Sequence, residues 1–178
     1  TQTAKTQTAK TQTAKTQTPA KSQTLRVYHL GNSVTDTIRY SQLEKMVNSG
    51  DDKYIWGRTM IPGAPLSWLW EHPNDGFEQA PFGKWKNALP NFQWDVVTLQ
   101  PFDRHLAGDD GDLKMAKNFI DLALQNPDNA STQFYIYSRW PRRDEKGEGE
   151  NKTYALDYAV KWNREYTGGW DGTNESRD

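Results

Sequence analysis

The sequence predicts an α/β fold, a three-layer α/β/α sandwich built on a mostly parallel sheet. Three observations carry that expectation. Short runs rich in β-formers recur along the chain: "LRVYHL", "YIWGRTM", "WDVVTLQPF" and "QFYIYS". Stretches of helical period lie between them, and Gly, Pro and Ser mark the joints. Strands that alternate with helices pair in parallel through right-handed crossovers.

The elements follow in order. Residues 1–24 open with the repeat "TQTAK", which has no apolar face and cannot offset its ordering entropy, so a disordered linker is expected there. The folded domain is expected over residues 25–178. "LRVYHL" reads as a buried strand closed by Gly31, followed by a helix bearing Ile38, Leu43, Met46 and Val47 and ended by Ser49-Gly50. "YIWGRTM" (54–60) is the second strand, and "APLSWLWEH" (64–72) a short helix with Leu66, Leu69 and Trp70 inward. "WDVVTLQPF" (94–102) is the clearest buried strand, with β-branched residues and Pro101 to stop it. The next helix carries Leu113, Ala116, Ile120 and Leu124 on one stripe, with Met115, Phe119 and Leu122 beside it. "QFYIYS" (133–138) is a further strand. A charged loop (144–152) then leads to a last helix with Ala155, Ala159, Trp162 and Tyr166 on one face.

Composition narrows the function. The 178 residues suit one domain with a real core. With 22 basic against 23 acidic side chains, no basic face is expected and nucleic acid is excluded as the partner. Cysteine is absent, which removes disulfides and thiolate metal sites without choosing a compartment. No apolar run reaches membrane-spanning length. No cofactor or metal is expected: the three histidines are scattered, and "DDGD" (109–112) suits a helix start, where carboxylates meet the dipole. The sequons at Asn129, Asn151 and Asn174 carry little weight.

In a parallel sheet the site lies at the carboxyl ends of the strands. Ser33 stands just past the first strand and Gln100 ends the central one, so both fall in one candidate crevice. A serine acts as nucleophile only with a base for its proton and donors for the oxyanion. The triplet Gly31-Asn32-Ser33 taken alone is a turn, and it is not the G-x-S-x-G elbow, because position 35 is a threonine.

The wider pattern resembles a family. "VYHLGNSVTDT" is similar to the first block of the SGNH (GDSL-type) hydrolases, "GRTMIPGAPL" to the second and "WDVVTLQPFD" to the third, in matching order over residues 25 to about 140. The resemblance implies a flavodoxin-like, SGNH-type sandwich and a serine esterase working through an acyl-serine, with Ser33 as nucleophile and Gly63 as a backbone oxyanion donor. Two departures stand out. Phe102 occupies the place of the family's oxyanion asparagine, and Gln100 is the candidate replacement side chain. The family's closing Asp-x-x-His is absent. The base and its orienting aspartate are therefore expected beyond Asp178, with the sandwich incomplete at its C-terminal end and this piece inactive by itself.

The weaker alternative is a base at His105, in the loop after the central strand, oriented by Asp103. His29, inside the first strand, is expected to be structural, and His72 to cap a helix or face solvent. Eight tryptophans add a minor argument for carbohydrate esters, since Trp68 and Trp70 flank the oxyanion glycine and Trp140 ends a strand. The expected substrate is an acyl, for instance acetyl, ester of a small molecule or carbohydrate, in a secreted or periplasmic setting. The competing expectation is a non-catalytic module that keeps an SGNH-like scaffold and binds a carbohydrate or a partner.

Overall fold

The computed structural model describes residues 22–102 and 106–138, together with the backbone of 144–146 and 153–155. Five strands form the main sheet. β1 (Thr24–Gly31) is central, and its run of β-formers is buried from Val27 onward. It pairs in parallel with β2 (Lys53–Met60) on one side and β4 (Val96–Leu99) on the other. β5 (Gln133–Ile136) adds in parallel to β4, and the two-residue β3 (Phe77–Glu78) adds antiparallel to β2. The order is β3-β2-β1-β4-β5. Helices α1 (Tyr40–Val47), α2 (Leu66–Glu71), α3 (Trp85–Asn91) and α4 (Asp112–Ala123) connect them. The mostly parallel α/β sandwich expected from the alternation is the architecture of the chain.

Alternation along the strands divides the core into two layers. Tyr28, Leu30, Val97 and Leu99 pack against Leu66 and Leu69 of α2, Trp85 and Leu89 of α3, and Phe119 of α4. On the other face Val27, Tyr54 and Trp56 pack against Tyr40 of α1, with Leu43, Val47 and Val96 at the margin. The buried indoles find acceptors, as a polar tip in an apolar core requires. Trp85 Nε1 donates to the Leu69 carbonyl at 3.0 Å and Trp94 Nε1 to that of Ala88 at 2.9 Å.

Several expectations change in detail. The inward stripe of α4 is Met115, Ala116, Phe119 and Ala123, while Leu113 and Leu124 are exposed. Two apolar stripes were open to this helix. The one that packs has small residues for close approach and Phe119, which meets Trp70 and Trp85 edge-on at 5.1 and 5.2 Å. Met46 of α1 is likewise exposed. β3 and α3 have no counterpart in the expected elements. Within the expected loop 144–152 and just beyond it, β6 (Asp144–Lys146) pairs antiparallel with β7 (Thr153–Ala155), so Ala155 lies in a strand and not in the last helix. The linker through residue 21, and Ala159, Trp162 and Tyr166, lie outside the described residues.

Asn129 ties together the layer under α2, α3 and α4. Its Oδ1 accepts from the Trp94 amide at 2.7 Å, and its Nδ2 donates toward the carbonyls of Leu89, Phe92 and Ala123 at 3.0–3.1 Å. The residue is fully buried, so this sequon cannot receive a glycan in the folded protein. Asn129→Ala strands one buried N–H and several carbonyls, and is expected to cost about 3 kcal/mol. Urea unfolding checks this: the midpoint should fall with an unchanged slope.

Candidate functional site at the strand ends

The carboxyl ends of β2, β1 and β4 are neighbours and end nearly level. Gly31 pairs with Met60 and Leu30 with Leu99. The ladder runs one step further on each side, with the Ile61 amide donating to the Gly31 carbonyl at 3.1 Å and the Gln100 amide to that of Leu30 at 2.8 Å. Ser33, Gly63 and Gln100 therefore follow directly on three adjacent strands, along one edge of the sheet.

The turn that carries Ser33 is held from below. The Thr35 amide donates to the Asn32 carbonyl at 2.9 Å, which closes a tight turn with Ser33 at its first corner. Asn32 is fully buried and every polar group it has is used. Its Oδ1 accepts from the Val34 amide at 3.1 Å, an Asx-turn; its Nδ2 donates to the Ala64 carbonyl at 3.1 Å; its own N–H donates to Gln100 Oε1 at 3.3 Å. Ser33 is exposed, and its hydroxyl has no hydrogen bond among the described residues. Gly31 is required here by space: a Cβ would stand 2.0 Å from Thr35 Oγ1 and 2.7 Å from Gln100 Cβ.

Gln100 has no exposed surface. Its Oε1 faces two donors, the Asn32 amide and the Thr35 hydroxyl at 3.4 Å, which fixes the orientation of the side-chain amide; its Nε2 donates to the Pro101 carbonyl. A glutamine so placed supports the turn, and its N–H groups have no open face through which to meet a substrate oxygen. Asn32 and Thr35 escaped the sequence reading. The signal was present in Asn-x-Val and in a small hydroxyl residue four positions after a strand-end glycine.

Gly63 occupies the second corner of a type II turn. Pro62 precedes it, its φ is +69°, and the Ala64 amide donates to the Ile61 carbonyl at 3.1 Å. Nothing lies within 4 Å of where its Cβ would be, so the ground beside this glycine is open. The bond from Asn32 to Ala64 fastens this turn to that of Ser33. Beyond it, Trp68 is exposed and stacks on His72 at 3.8 Å, whereas Trp70 packs inward on Trp85 at 4.9 Å.

The histidines divide as follows. His29 lies on the α1 face of β1, buried, with Nδ1 2.8 Å from Thr98 Oγ1 and Nε2 3.0 Å from the Tyr54 hydroxyl. Burial holds its pKa down at about 4. It is a neutral structural residue, and its two partners leave neither nitrogen for Ser33. His72 caps the end of α2, its Nδ1–H donating to the Trp68 carbonyl at 2.9 Å. Asp103 and His105 lie outside the described residues, and Phe102 is half-buried. Among the described residues no group of three or more His, Cys, Asp or Glu is placed to hold a metal. Asp112 opens α4, as "DDGD" predicted, and no described helix is long and apolar enough to cross a membrane.

Because His29 is harder to protonate in the fold than in the open chain, its contribution to stability is complete above its ordinary pKa of 6.5 and is lost as pH falls through about 4. Across that window it should remove roughly 3 kcal/mol. His29→Gln lacks this term. The stability difference between wild type and variant, followed by urea unfolding from pH 7 to pH 4, should shrink toward the acid end; a difference independent of pH would contradict the assignment.

No protein-family model matches the chain, and no curated protein does. Among solved structures, a DUF4886 family protein from Bacteroides uniformis is similar, at 18% identity and a TM-score of 0.44, over 66% of this chain and 51% of that one. The chain thus spans about half the length of that neighbour.

Proposed function

We propose that the chain carries the nucleophile and oxyanion half of a serine ester hydrolase. The observation that supports the reading is the common edge: the residues of three separate SGNH-like blocks follow on three adjacent, level strands. Ser33 Oγ attacks the ester carbonyl carbon while its proton passes to a histidine. The amides of Ser33 and Gly63 hold the oxyanion, the alcohol leaves with the proton, and water cleaves the acyl-serine by the same steps. Gln100 acts indirectly, by keeping Asn32 and Thr35 beneath the turn. The base is a histidine of an Asp-x-x-His block in a continuation of the chain, or His105 with Asp103. Acetyl esters of carbohydrates are the proposed substrates, and the exposed ring of Trp68 favours a sugar neighbour.

On the longest natural protein that contains these residues, Ser33→Ala should lower kcat/KM for a small acetyl ester by roughly 10³-fold or more. Full activity in that variant would remove Ser33 as nucleophile. His105→Asn separates the two bases: unchanged activity places the base downstream. A wild-type protein that binds sugars without hydrolysing any ester would instead be the non-catalytic module.

A further inference from the structure

A concavity lies on the α1 face of the sheet, close in sequence to the Ser33 turn. Its volume is about 420 Å³, within the range of small-molecule sites, and Asp36, Arg39, Tyr40, Trp56, Arg58 and Gln79 line it. Asp36 belongs to the short 3₁₀ helix Thr35–Ile38, three residues after Ser33, a span of chain that covers at most about 11 Å. The cavity and the serine are thus within reach of one disaccharide-sized molecule.

The wall is cationic by construction. Arg58 projects from β2, bonds Asp36, and lies 5.7 Å from the Tyr40 ring centroid and 6.0 Å from that of Phe77. Its side chain is only 20% exposed, and its Nε is buried with no hydrogen bond among the described residues. That Nε–H is closed off inside the fold and Nη1 is taken by Asp36, so what Arg58 offers the cavity is its positive charge and its remaining Nη2 edge. Arg39, between the 3₁₀ helix and α1, holds a left-handed backbone at φ 54°, a conformation an arginine adopts at a cost. Its guanidinium has no partner among the described residues. Among the lining residues two arginines stand against one aspartate, a net single positive charge, and the nearby Glu44 carboxylate is engaged by the Trp56 indole. That balance suits a monoanion; a phosphate dianion would meet the Asp36 carboxylate.

We infer that this cavity binds a monoanionic group, a carboxylate or a sulfate ester, and that the ester turned over at Ser33 is therefore carried on an acidic carbohydrate. The second half rests on the proposed esterase reading; the first half does not. Arg58 and the exposed Arg39 supply the positive charge for the anion, while the buried Trp56 and Tyr40 supply the apolar floor. Gln79, also in the lining, is neutral and suits the uncharged hydroxyls of a sugar ring.

Trp56 lines the cavity and donates its indole N–H to Glu44 at 3.0 Å, so its ¹⁵N–¹H signal reports occupancy. Residues 1–178 would be titrated with methyl galacturonide, galactose 6-sulfate and uncharged methyl galactoside. The two acidic probes should shift the signal saturably, and the stronger of the two identifies the anion. The neutral sugar should bind at least ten-fold more weakly. Arg39→Gln, at an exposed position, should weaken acidic binding about ten-fold with the fold intact; Arg58→Gln should do the same if it folds. Equal binding of acidic and neutral sugars, no shift with any probe, or unchanged binding in Arg39→Gln would overturn the inference. Turnover on the longest natural protein separates the two claims. Retained acidic binding without hydrolysis refutes the esterase alone. Hydrolysis of acetylated galacturonide and galactoside at equal kcat/KM, unaltered by Arg39→Gln, refutes the anion site alone.

Discussion

The missing side chain at Gly31 is the constraint on which the rest of the strand edge depends. The central strand ends there, and Thr35 and Gln100 occupy the space a Cβ would need. Only because both can approach does the glutamine oxygen reach the Asn32 amide and the Thr35 hydroxyl. Those bonds set the turn, and the turn sets Ser33 outside it. Each bond by itself is worth about 1 kcal/mol, but the groups are buried, and leaving any of them unmade would cost more than making it contributes. The arrangement is therefore close to all-or-none: a larger residue at 31 disturbs the turn, the glutamine and the link to Ala64 together.

The two faces of the sheet do different work. The face under α2, α3 and α4 holds the large aromatic core, with Trp94, Tyr28 and Phe119 fully enclosed. The α1 face is thinner and more polar. There His29 bridges Thr98 and Tyr54, Tyr40 stacks on Trp56 at 4.7 Å, and burial pushes the Tyr54 hydroxyl up to about 12. Stability resides chiefly in the first layer, because apolar area drives folding. The Asp36–Arg58 pair, partly exposed, adds little to it. Its consequence is positional: it holds one guanidinium at the cavity wall and leaves the charge of Arg39 unbalanced.

The fold was legible where period and composition agreed. "LRVYHL" and "DVVTL" are β-branched or apolar runs closed by Gly or Pro, and they became β1 and β4. Short elements were not legible: β3 has two residues, and α3 carries Pro90 inside it, which a local reading takes as a break. Burial of the α4 stripe depended on which partners it met, and a single helix does not encode that. Within the candidate site, Ser33 and Gly63 were visible as turn residues at strand ends. The Asx-turn at Asn32 left a local signal, but the bonds of Asn32 and Thr35 to Gln100 were hidden, since 68 and 65 residues separate them. The arginine cavity was hidden for the same reason, since Asp36 and Arg58 meet only once β2 lies beside β1.

Residues 31–40 then act as one unit with two anchors. At one end Gly31 is pressed against Thr35 and Gln100. At the other, Tyr40 is buried between His29 and Trp56, and its hydroxyl donates back to the Thr35 carbonyl at 2.8 Å. Thr35 is thus fixed from both sides, its hydroxyl by the glutamine and its carbonyl by the tyrosine. The residues between the anchors alternate in what they face: Asn32 and Thr35 inward, Ser33 outward, Asp36 toward Arg58. A side chain carried on a backbone held in this way needs little reorganisation to keep its orientation. The same rigidity fixes Ser33 relative to the arginine-lined cavity. A group bound at Arg58 therefore stands at a set distance from Ser33.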